Sequence, residues 1–281
     1  MSRRSGPEPF FLPDASSGHR FCVSHEPEGE PRALVLHCHA FGEELNRSRR
    51  VVSRCARALA GAGAAVLQMD LKGCGDSSGA SISASWQEWE ADVRRGVLWL
   101  KQRHPGKPLW LWAHRAGALL ALRSVLRGVT ADHLLLWQPV VKGEDLVKDW
   151  IRQRSASKIA EGRSAQSEAA AMRASWEGGE AVEVMGYPVS ADLYDGCKQP
   201  LSPPPPVHAG NRLVVVEVSQ RPRSPAASAN TERLSEWQQA GWSIEQVGVT
   251  GPAFWVSPEI VDAPELVTQT CHILFGRAAP Q

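Results

Sequence analysis

The strongest pattern for chemistry lies in the segment 109–121, which reads LWLWAHRAGALLA. An apolar run leads into the small residues Ala113, Ala116 and Gly117, and a second apolar run follows. This order predicts a buried strand, a sharp turn and a helix, which is how the motif G-x-S-x-G exposes a catalytic serine at the tip of a turn. At the tip this chain has Arg115. Its guanidinium stays protonated and has no lone pair with which to attack a carbonyl carbon.

An acid and a histidine should complete such a site, in that order along the chain. The acid is expected after the strand at 212–218, where the sequence reads SQRPR from Ser219. The histidine is expected after the last strand, where the sequence reads VTGPAFW from Val249. The first stretch has no acid and the second has no histidine. Two other histidines do not fit the expected position, since His208 precedes the strand at 212–218 and His272 falls in the predicted last helix. The sequence therefore predicts that the serine–acid–histidine triad is lost.

Other residues offer weaker routes to catalysis. Ser77 lies in GDSSG, which matches G-x-S-x-G, but turn residues separate it from the preceding strand, so we interpret it as a loop residue. Cys74 shares that loop with no evident base, which predicts an inert thiol. His39, His114 and Cys74 stay as weak candidates for displaced catalytic groups. His37 and His39 supply two metal ligands with no third in view, so we predict local hydrogen bonds there and no metal site.

Arg115 has a second use, as an anchor for an anion. It would lie at the start of a helix, where free amides and the helix dipole favour negative charge. A small anionic or acyl-type ligand, carrying a carboxylate or a phosphate, would suit such a site. The alternative is that Arg115 pairs with a carboxylate of the following segment, such as Glu144 or Asp145. The expected oxyanion-type and ligand-binding positions are His39, Phe41, Arg115 and Ala116.

Strands and helices alternate along the chain, which predicts a mostly parallel, doubly wound sheet of the α/β class. Long apolar runs predict central strands, and helical spacing of Trp86, Trp89 and Val93 predicts an amphipathic helix. The eight predicted strands are 10–12, 20–24, 33–39, 64–70, 109–114, 133–139, 212–218 and 242–247. The predicted helices include 48–60, 85–103, 145–154, 164–176, 231–239 and 259–275, with residues 40–46 as a loop.

A change in composition at residue 140 divides the chain. Residues 140–206 are polar and end in four prolines, so we interpret them as a helical lid over the carboxyl edge of the sheet. The core would then consist of residues 1–139 and 207–281. The alternative for residues 140–206 is a structural insertion or an oligomer contact.

Composition excludes several classes of protein. The net charge is +1 over 281 residues, so the sequence shows no excess of positive charge that would attract nucleic acid or acidic membranes. No run approaches the ~18 apolar residues of a membrane span, and no signal-peptide pattern opens the chain, so we predict a cytoplasmic protein. The six cysteines are scattered, which predicts reduced and mostly buried thiols. We predict no cofactor and no metal.

Five segments in combination resemble a known family. They read HAFGEELNRSRR at 39–50, DLKGCGDS at 70–77, LWAHRAG at 111–117, LLWQP at 135–139 and FWVSPEI at 254–260. The chain resembles the α/β hydrolases, and more narrowly the exosortase A system-associated hydrolase 2 family of exopolysaccharide-producing Gram-negative bacteria. The resemblance implies an α/β-hydrolase fold with a lid insertion, hydrolysis as the family activity, and a link to exopolysaccharide export and protein sorting.

Three functions are compatible with these observations. The first is a pseudoenzyme, a hydrolase-like protein that has lost the triad and binds an anionic ligand at Arg115. The second is an active hydrolase of esters or thioesters that uses displaced catalytic groups within hydrogen-bond reach of each other. The third is a structural or assembly protein, either a homo-oligomer or a partner of another protein of the exopolysaccharide system.

Overall fold

One sheet of eight strands organises the structure, a computed structural model that describes residues 6–14, 18–159, 164–199, 201, 210–221 and 231–276. The strands of this sheet are β1 (Pro7–Asp14), β2 (Gly18–His25), β3 (Ala33–Cys38), β4 (Ala64–Met69), β5 (Leu109–His114), β6 (His133–Trp137), β9 (Arg212–Ser219) and β10 (Ser243–Thr250). A separate hairpin pairs β7 (Val182–Val184) with β8 (Tyr187–Val189). The helices are α1 (Glu43–Gly61), α2 (Trp86–Arg103), α3 (Gly117–Leu126), α4 (Gly143–Ile159), α5 (Ala165–Glu177), α6 (Ala191–Lys198), α7 (Thr231–Gln239) and α8 (Pro264–Phe275).

The strand order is β1-β2-β4-β3-β5-β6-β9-β10. The pairs β1–β2 and β2–β4 are antiparallel, and the other five pairs are parallel. This confirms the predicted mostly parallel, eight-stranded sheet of the α/β-hydrolase fold. Every residue of β3 and of β5 is buried, as expected for central strands with helices on both faces.

The two faces of the sheet bury different side chains. Leu109, Leu111 and Ala113 of β5 pack in the cluster that contains α2 and α3, whereas Trp110 and Trp112 pack in the cluster that contains α1 and α8. The period of two along β5 produces this alternation. The elbow turn that follows β5 is therefore held from both sides of the sheet.

Helices α1 and α8 begin several residues away from their predicted starts, and α4 extends to Ile159, beyond its predicted end at 154. Helix α1 begins at Glu43 and not near residue 48, because Gly42 takes the positive φ of +59° that the turn requires. Glu43 and Glu44 then occupy the first turn, where the helix dipole favours carboxylates. Helix α8 begins at Pro264 and not at residue 259, since proline suits the first helical position.

The segment 143–198 contains more structure than the two predicted helices. The sequence reasoning missed the β7–β8 hairpin and α6. The hairpin turns at Met185 and Gly186, which both have positive φ, the geometry that joins twisted strands in two residues. Buried side chains such as Trp176 and Leu193 belong to the same apolar cluster as the sheet, so this segment is continuous with the main core. The four prolines at 203–206 lie outside the described residues.

All six cysteines have free thiols, and four of them are buried, as predicted from their scatter along the chain. Among the helices that the structure describes, none is both long enough and apolar enough to cross a bilayer.

We expect Gly117→Ala to lower the free energy of unfolding by about 1–3 kcal/mol, the usual cost of overpacking. A Cβ at this position would overlap the backbone carbonyls of Cys38 and His39, so α3 would have to move away from the sheet. Urea unfolding would measure the loss. Gly61→Ala is the matched control, because a Cβ there meets no atom within 4 Å. Equal stability of the two variants would contradict the close approach.

Candidate functional site

The predicted strand, turn and helix are present, and Arg115 lies at the tip of the turn. Its φ of +53° lies in the left-handed region that non-glycine residues rarely adopt. The backbone N–H of Arg115 donates to the carbonyl of Trp137 at 3.1 Å, and its own carbonyl accepts from Ala118 at 3.0 Å and from Val140 at 3.2 Å. Such strain, of order 1–3 kcal/mol, persists where surrounding contacts hold it and is common at functional sites.

Two carboxylates hold the guanidinium of Arg115. Nε donates to both oxygens of Glu44, at 3.1 and 3.2 Å, and Nη2 donates to Oδ2 of Asp149 at 3.1 Å. Nη1 lies 3.4 Å from the carbonyl oxygen of Gln138. The side chains are 14% exposed for Arg115, 12% for Glu44 and 23% for Asp149. We call Arg115, Glu44 and Asp149 the elbow ion cluster.

The alternative that Arg115 pairs with a carboxylate of residues 140–206 is confirmed, but the partner is Asp149 and not Glu144 or Asp145, the two residues named as examples. Asp145 instead pairs with Lys148 at 3.1 Å on the exposed side of α4. Asp149 comes three residues after the buried Leu146, so the two side chains lie on the same face of the helix. The apolar pattern of α4 could have indicated this.

Glu44 is the partner of Arg115 that the sequence analysis missed. It was assigned to a loop, whereas it lies in the first turn of α1 and is nearly buried. Two adjacent acids after a glycine are a recognisable helix start, and that signal was available. Burial raises the pKa of the Glu44 carboxyl, and the neighbouring Arg115 opposes that rise.

Aromatic side chains occupy the position where a triad histidine was expected. Phe254 and Trp255 follow β10, and the Arg115 guanidinium carbon lies 5.7 Å from the centroid of a Trp255 ring. That geometry allows a cation–π contact. The ring of His114 stacks on Phe254, with centroids 5.2 Å apart. The aromatic pair therefore covers the elbow from the side of the last strand.

Phe41 and Ala116 carry the two backbone amides that were predicted as oxyanion-type donors. Within the described residues, the backbone N–H groups of Phe41 and Ala116 have no hydrogen-bond acceptor. The Phe41 ring packs against Trp89 and Trp150, each with centroids 5.7 Å away. The space between Phe41, Asp149 and Trp150 measures about 10 Å³, which is about enough for one water molecule.

The three weak catalytic candidates have different surroundings. His39 uses both ring nitrogens on the backbone: Nδ1 donates to Ala40 at 2.6 Å and Nε2 accepts from Leu71 at 3.2 Å. The predicted local hydrogen bonding is thus confirmed for His39, whereas it is wrong for Nε2 of His37, which has no partner among the described residues because burial separates it from other polar groups. His114 is fully buried, and its ring nitrogens have no partner in the described part of the chain. Burial raises the pKa of Cys74 to about 12, so that residue stays a thiol.

Serines near the loop 71–80 make other contacts. The hydroxyl of Ser77 donates to the Asp70 carbonyl at 2.5 Å and accepts from the Phe21 amide at 2.9 Å, which agrees with its interpretation as a loop residue. Ser78 Oγ lies 3.0 Å from Nδ1 of His19, an exposed contact that the sequence analysis missed. Among the described residues, no group of three or more His, Cys, Asp or Glu is placed to hold a metal ion. His208 lies outside the described residues.

We expect Arg115→Met to destabilise the protein by about 2–3 kcal/mol at pH 7, because it leaves two partly buried carboxylates without a counter-charge. Without the arginine, the already raised pKa of Glu44 rises further. A carboxyl whose pKa is higher in the folded than in the unfolded protein stabilises the fold when it is protonated. This contribution is complete at pH values below the pKa in the unfolded protein, about 4.3, and it is lost as pH rises through the pKa in the folded protein. The deficit relative to wild type should therefore shrink from pH 7 to pH 5 in urea unfolding.

The double variant Arg115→Met/Glu44→Gln is the control for this experiment. It removes the most buried charge of the elbow ion cluster and should recover part of the loss at pH 7. A deficit that is the same at both pH values, with no recovery in the double variant, would show that Glu44 is not the group responsible.

Comparisons with known proteins agree with this fold. The family model described as Serine aminopeptidase, S33 (Hydrolase_4) matches residues 29–175, more than half of the chain. No curated protein sequence matches significantly. A thermostable carboxyl esterase from Bacillus coagulans is similar in structure, with a TM-score of 0.64, 13% identity, and coverage of 96% of this chain and 98% of the esterase.

Two further solved structures share the fold. Est1E from Butyrivibrio proteoclasticus has a TM-score of 0.59 and 13% identity, covering 94% of this chain and 97% of its own. A serine hydrolase without lid from Xanthomonas campestris has a TM-score of 0.55 and 15% identity, with both chains fully covered. On the family match and the strand order, this chain belongs to the serine aminopeptidase S33 family of α/β hydrolases.

Proposed function

We propose that this chain is a non-hydrolytic α/β hydrolase that binds a small anionic ligand through Arg115. One observation carries the proposal. Arg115 occupies the strained elbow position at which G-x-S-x-G has its serine, and two carboxylates hold its guanidinium there. The amides of Phe41 and Ala116, which have no acceptor among the described residues, add donors that suit an oxyanion.

An incoming anion has to replace a carboxylate, because both sides of the guanidinium are occupied. Glu44 engages Nε with two oxygens and is the more buried partner. Asp149 makes a single contact, is more exposed, and has a second partner in Arg152 at 2.9 Å. Asp149 can therefore leave Arg115 without losing all its ionic contacts. We propose that the ligand takes the place of the Asp149 carboxylate.

The position of Asp149 connects ligand binding to α4. Asp149 lies on α4 and contacts Nη2 of Arg115, so a ligand that takes its place requires Asp149 to move away from the guanidinium. In our proposed division of the chain, residues 140–206 form a lid on a core of residues 1–139 and 207–281, and α4 belongs to that lid. Ligand binding would then change the position of the lid.

The biological setting of this proposal rests on the sequence resemblance. A place in the exosortase A-associated, exopolysaccharide-linked system, in the cytoplasm, suggests two classes of ligand: a phosphate on a carrier-linked sugar and the carboxylate of a free fatty acid. Both present the negatively charged oxygens that a guanidinium binds through two N–H groups. A protein of the same system, or a second copy of the chain, would be the partner that responds to the lid.

Octanoate and glucose 1-phosphate are suitable probes, with tryptophan fluorescence and calorimetry as readouts. We expect Arg115→Met to weaken binding by about tenfold or more, since hydrogen bonds to charged groups contribute ~1.5–3 kcal/mol. Asp149→Asn should strengthen binding, because it removes the competing charge. Arg50→Met is the matched control, since Arg50 pairs with Asp262 on the surface. Unchanged binding by Arg115→Met, or no binding to Asp149→Asn, would refute the proposal.

An active hydrolase with displaced groups is the alternative, and the contact between Ser78 and His19 identifies where to test it. We expect purified protein to release no p-nitrophenol from its butyrate ester above the level of Ser78→Ala, and to resist labelling by a fluorophosphonate. The physical reason is that Ser78 and His19 are exposed to water, which weakens the electrostatic stabilisation of a transition state. Ester hydrolysis that disappears in both Ser78→Ala and His19→Ala would replace our proposal with this alternative.

A further inference from the structure

A second cavity lies between α1 and the strands β2 and β4. It has a volume of about 190 Å³ and opens to solvent beside Arg49, whose side chain is 45% exposed. No residue of the elbow ion cluster lines this cavity. It is therefore a separate feature of the structure, and its chemistry can be considered on its own.

A helix and a sheet supply the facing walls of the cavity. On the sheet, Phe21 and Val23 alternate along β2, and Gln68 of β4 pairs with Val23 across the strands. Cys22 between them packs in the cluster that contains α2, so the three lining side chains point to the other face, toward α1. The lining residues of α1 recur three and four positions apart, which places them on one stripe of the helix: Leu45, Ser48, Arg49, Val52 and Ser53.

Three apolar side chains of these walls lie outside the apolar clusters of the core. Phe21 and Val23 are only partly buried, and together with Leu45 they belong to neither of the two clusters formed by the described residues. Covering such surface with another apolar group is favourable, because it removes the surface from water. The cavity therefore suits a compact apolar body.

Two polar side chains of the cavity have free N–H donors. Oε1 of Gln68 lies 2.7 Å from a ring nitrogen of His25, whereas Nε2 of Gln68 has no acceptor among the described residues. Arg49 donates to the Asp70 carboxylate through Nη1 at 3.2 Å and Nη2 at 3.4 Å, which leaves its Nε–H free. A ligand that presents oxygen acceptors would satisfy both side chains.

The charges at the cavity favour an anion. Three charged groups line it or bond to a residue that lines it: Arg49, Asp70 and Arg57. Arg49 and Asp70 neutralise each other. Arg57 bonds to the carbonyl and the hydroxyl of Ser53, at 3.3 and 3.2 Å, and it makes no ion pair within the described part of the chain. One positive charge thus remains without a counter-charge beside the cavity.

We propose that this cavity binds a small carboxylic acid in its ionised form, with the carboxylate on Arg49 and Gln68. The apolar body of the ligand would lie between Val52 of α1 and the side chains of Phe21 and Val23. A ring-sized body is suitable, because an engineered apolar cavity of ~150 Å³ holds benzene. The site lies beside α1, and nothing in this inference depends on anion binding at Arg115.

Benzoate is the probe, and the readout is the pair of side-chain amide signals of Gln68 in the ¹⁵N NMR spectrum of the full chain. These signals report on this cavity, since Gln68 lines it and makes no contact with Arg115. We expect benzoate to shift them saturably. Acetate lacks the ring and benzyl alcohol lacks the charge, so each should bind about tenfold more weakly or not at all.

Two variants test the two halves of the site. Arg49→Met should weaken benzoate binding about tenfold or more, because it removes the charged donor. Val23→Trp should abolish the shift with Arg49 intact, because the indole fills the apolar part of the cavity. Arg54→Met is the matched control and should bind like wild type, since Arg54 lies on the same helix, is 48% exposed, pairs with Asp262 and does not line the cavity.

The proposal stays testable if Arg49→Met does not fold. Removing the arginine leaves the buried Asp70 carboxylate without its partner, and the double variant Arg49→Met/Asp70→Asn avoids that cost. Three results would each overturn the proposal: no saturable shift with benzoate, acetate or benzyl alcohol bound as tightly as benzoate, or wild-type affinity in the Arg49 variant.

Discussion

The close contact between α3 and β3 is the constraint on which the elbow depends. Gly117 brings the helix against the carbonyl oxygens of Cys38 and His39, and any side chain at that position would separate the two elements. This approach leaves Arg115 at the tip of a turn too tight for ordinary backbone angles. The sheet, the first turn of α1 and the elbow are consequently parts of one rigid unit.

A charge placed on that unit has to be neutralised locally. The guanidinium of Arg115 loses much of its hydration at the elbow, and Glu44 from α1 and Asp149 from α4 replace the water. Partly buried ion pairs of this kind contribute little net stability compared with apolar groups, but losing one partner is costly. The elbow ion cluster therefore holds α4 against the core, and it adds little to the free energy of unfolding.

Long apolar runs and small residues made the central part of the fold predictable. β5 and its elbow could be predicted from neighbouring residues alone. A buried strand is recognisable as an apolar run, and Gly117 marks the point at which α3 lies against the backbone of Cys38 and His39. The partners of Arg115 could not be assigned in the same way. Glu44 and Asp149 lie 71 and 34 residues away, and only the packing of α1 and α4 decides which carboxylate reaches the elbow. The hairpin near Met185 was missed because its strands are three residues long.

The elbow ion cluster also bears on how this chain can change over evolution. Replacing Arg115 by serine would restore the usual elbow residue in a single step, yet that serine would lie beside two carboxylates that had lost their cation. The same variant would still have aromatic side chains, Phe254 and Trp255, after its last strand. An Arg115→Ser variant of this chain would thus be less stable than its parent, and it would still have no histidine in the stretch that follows β10.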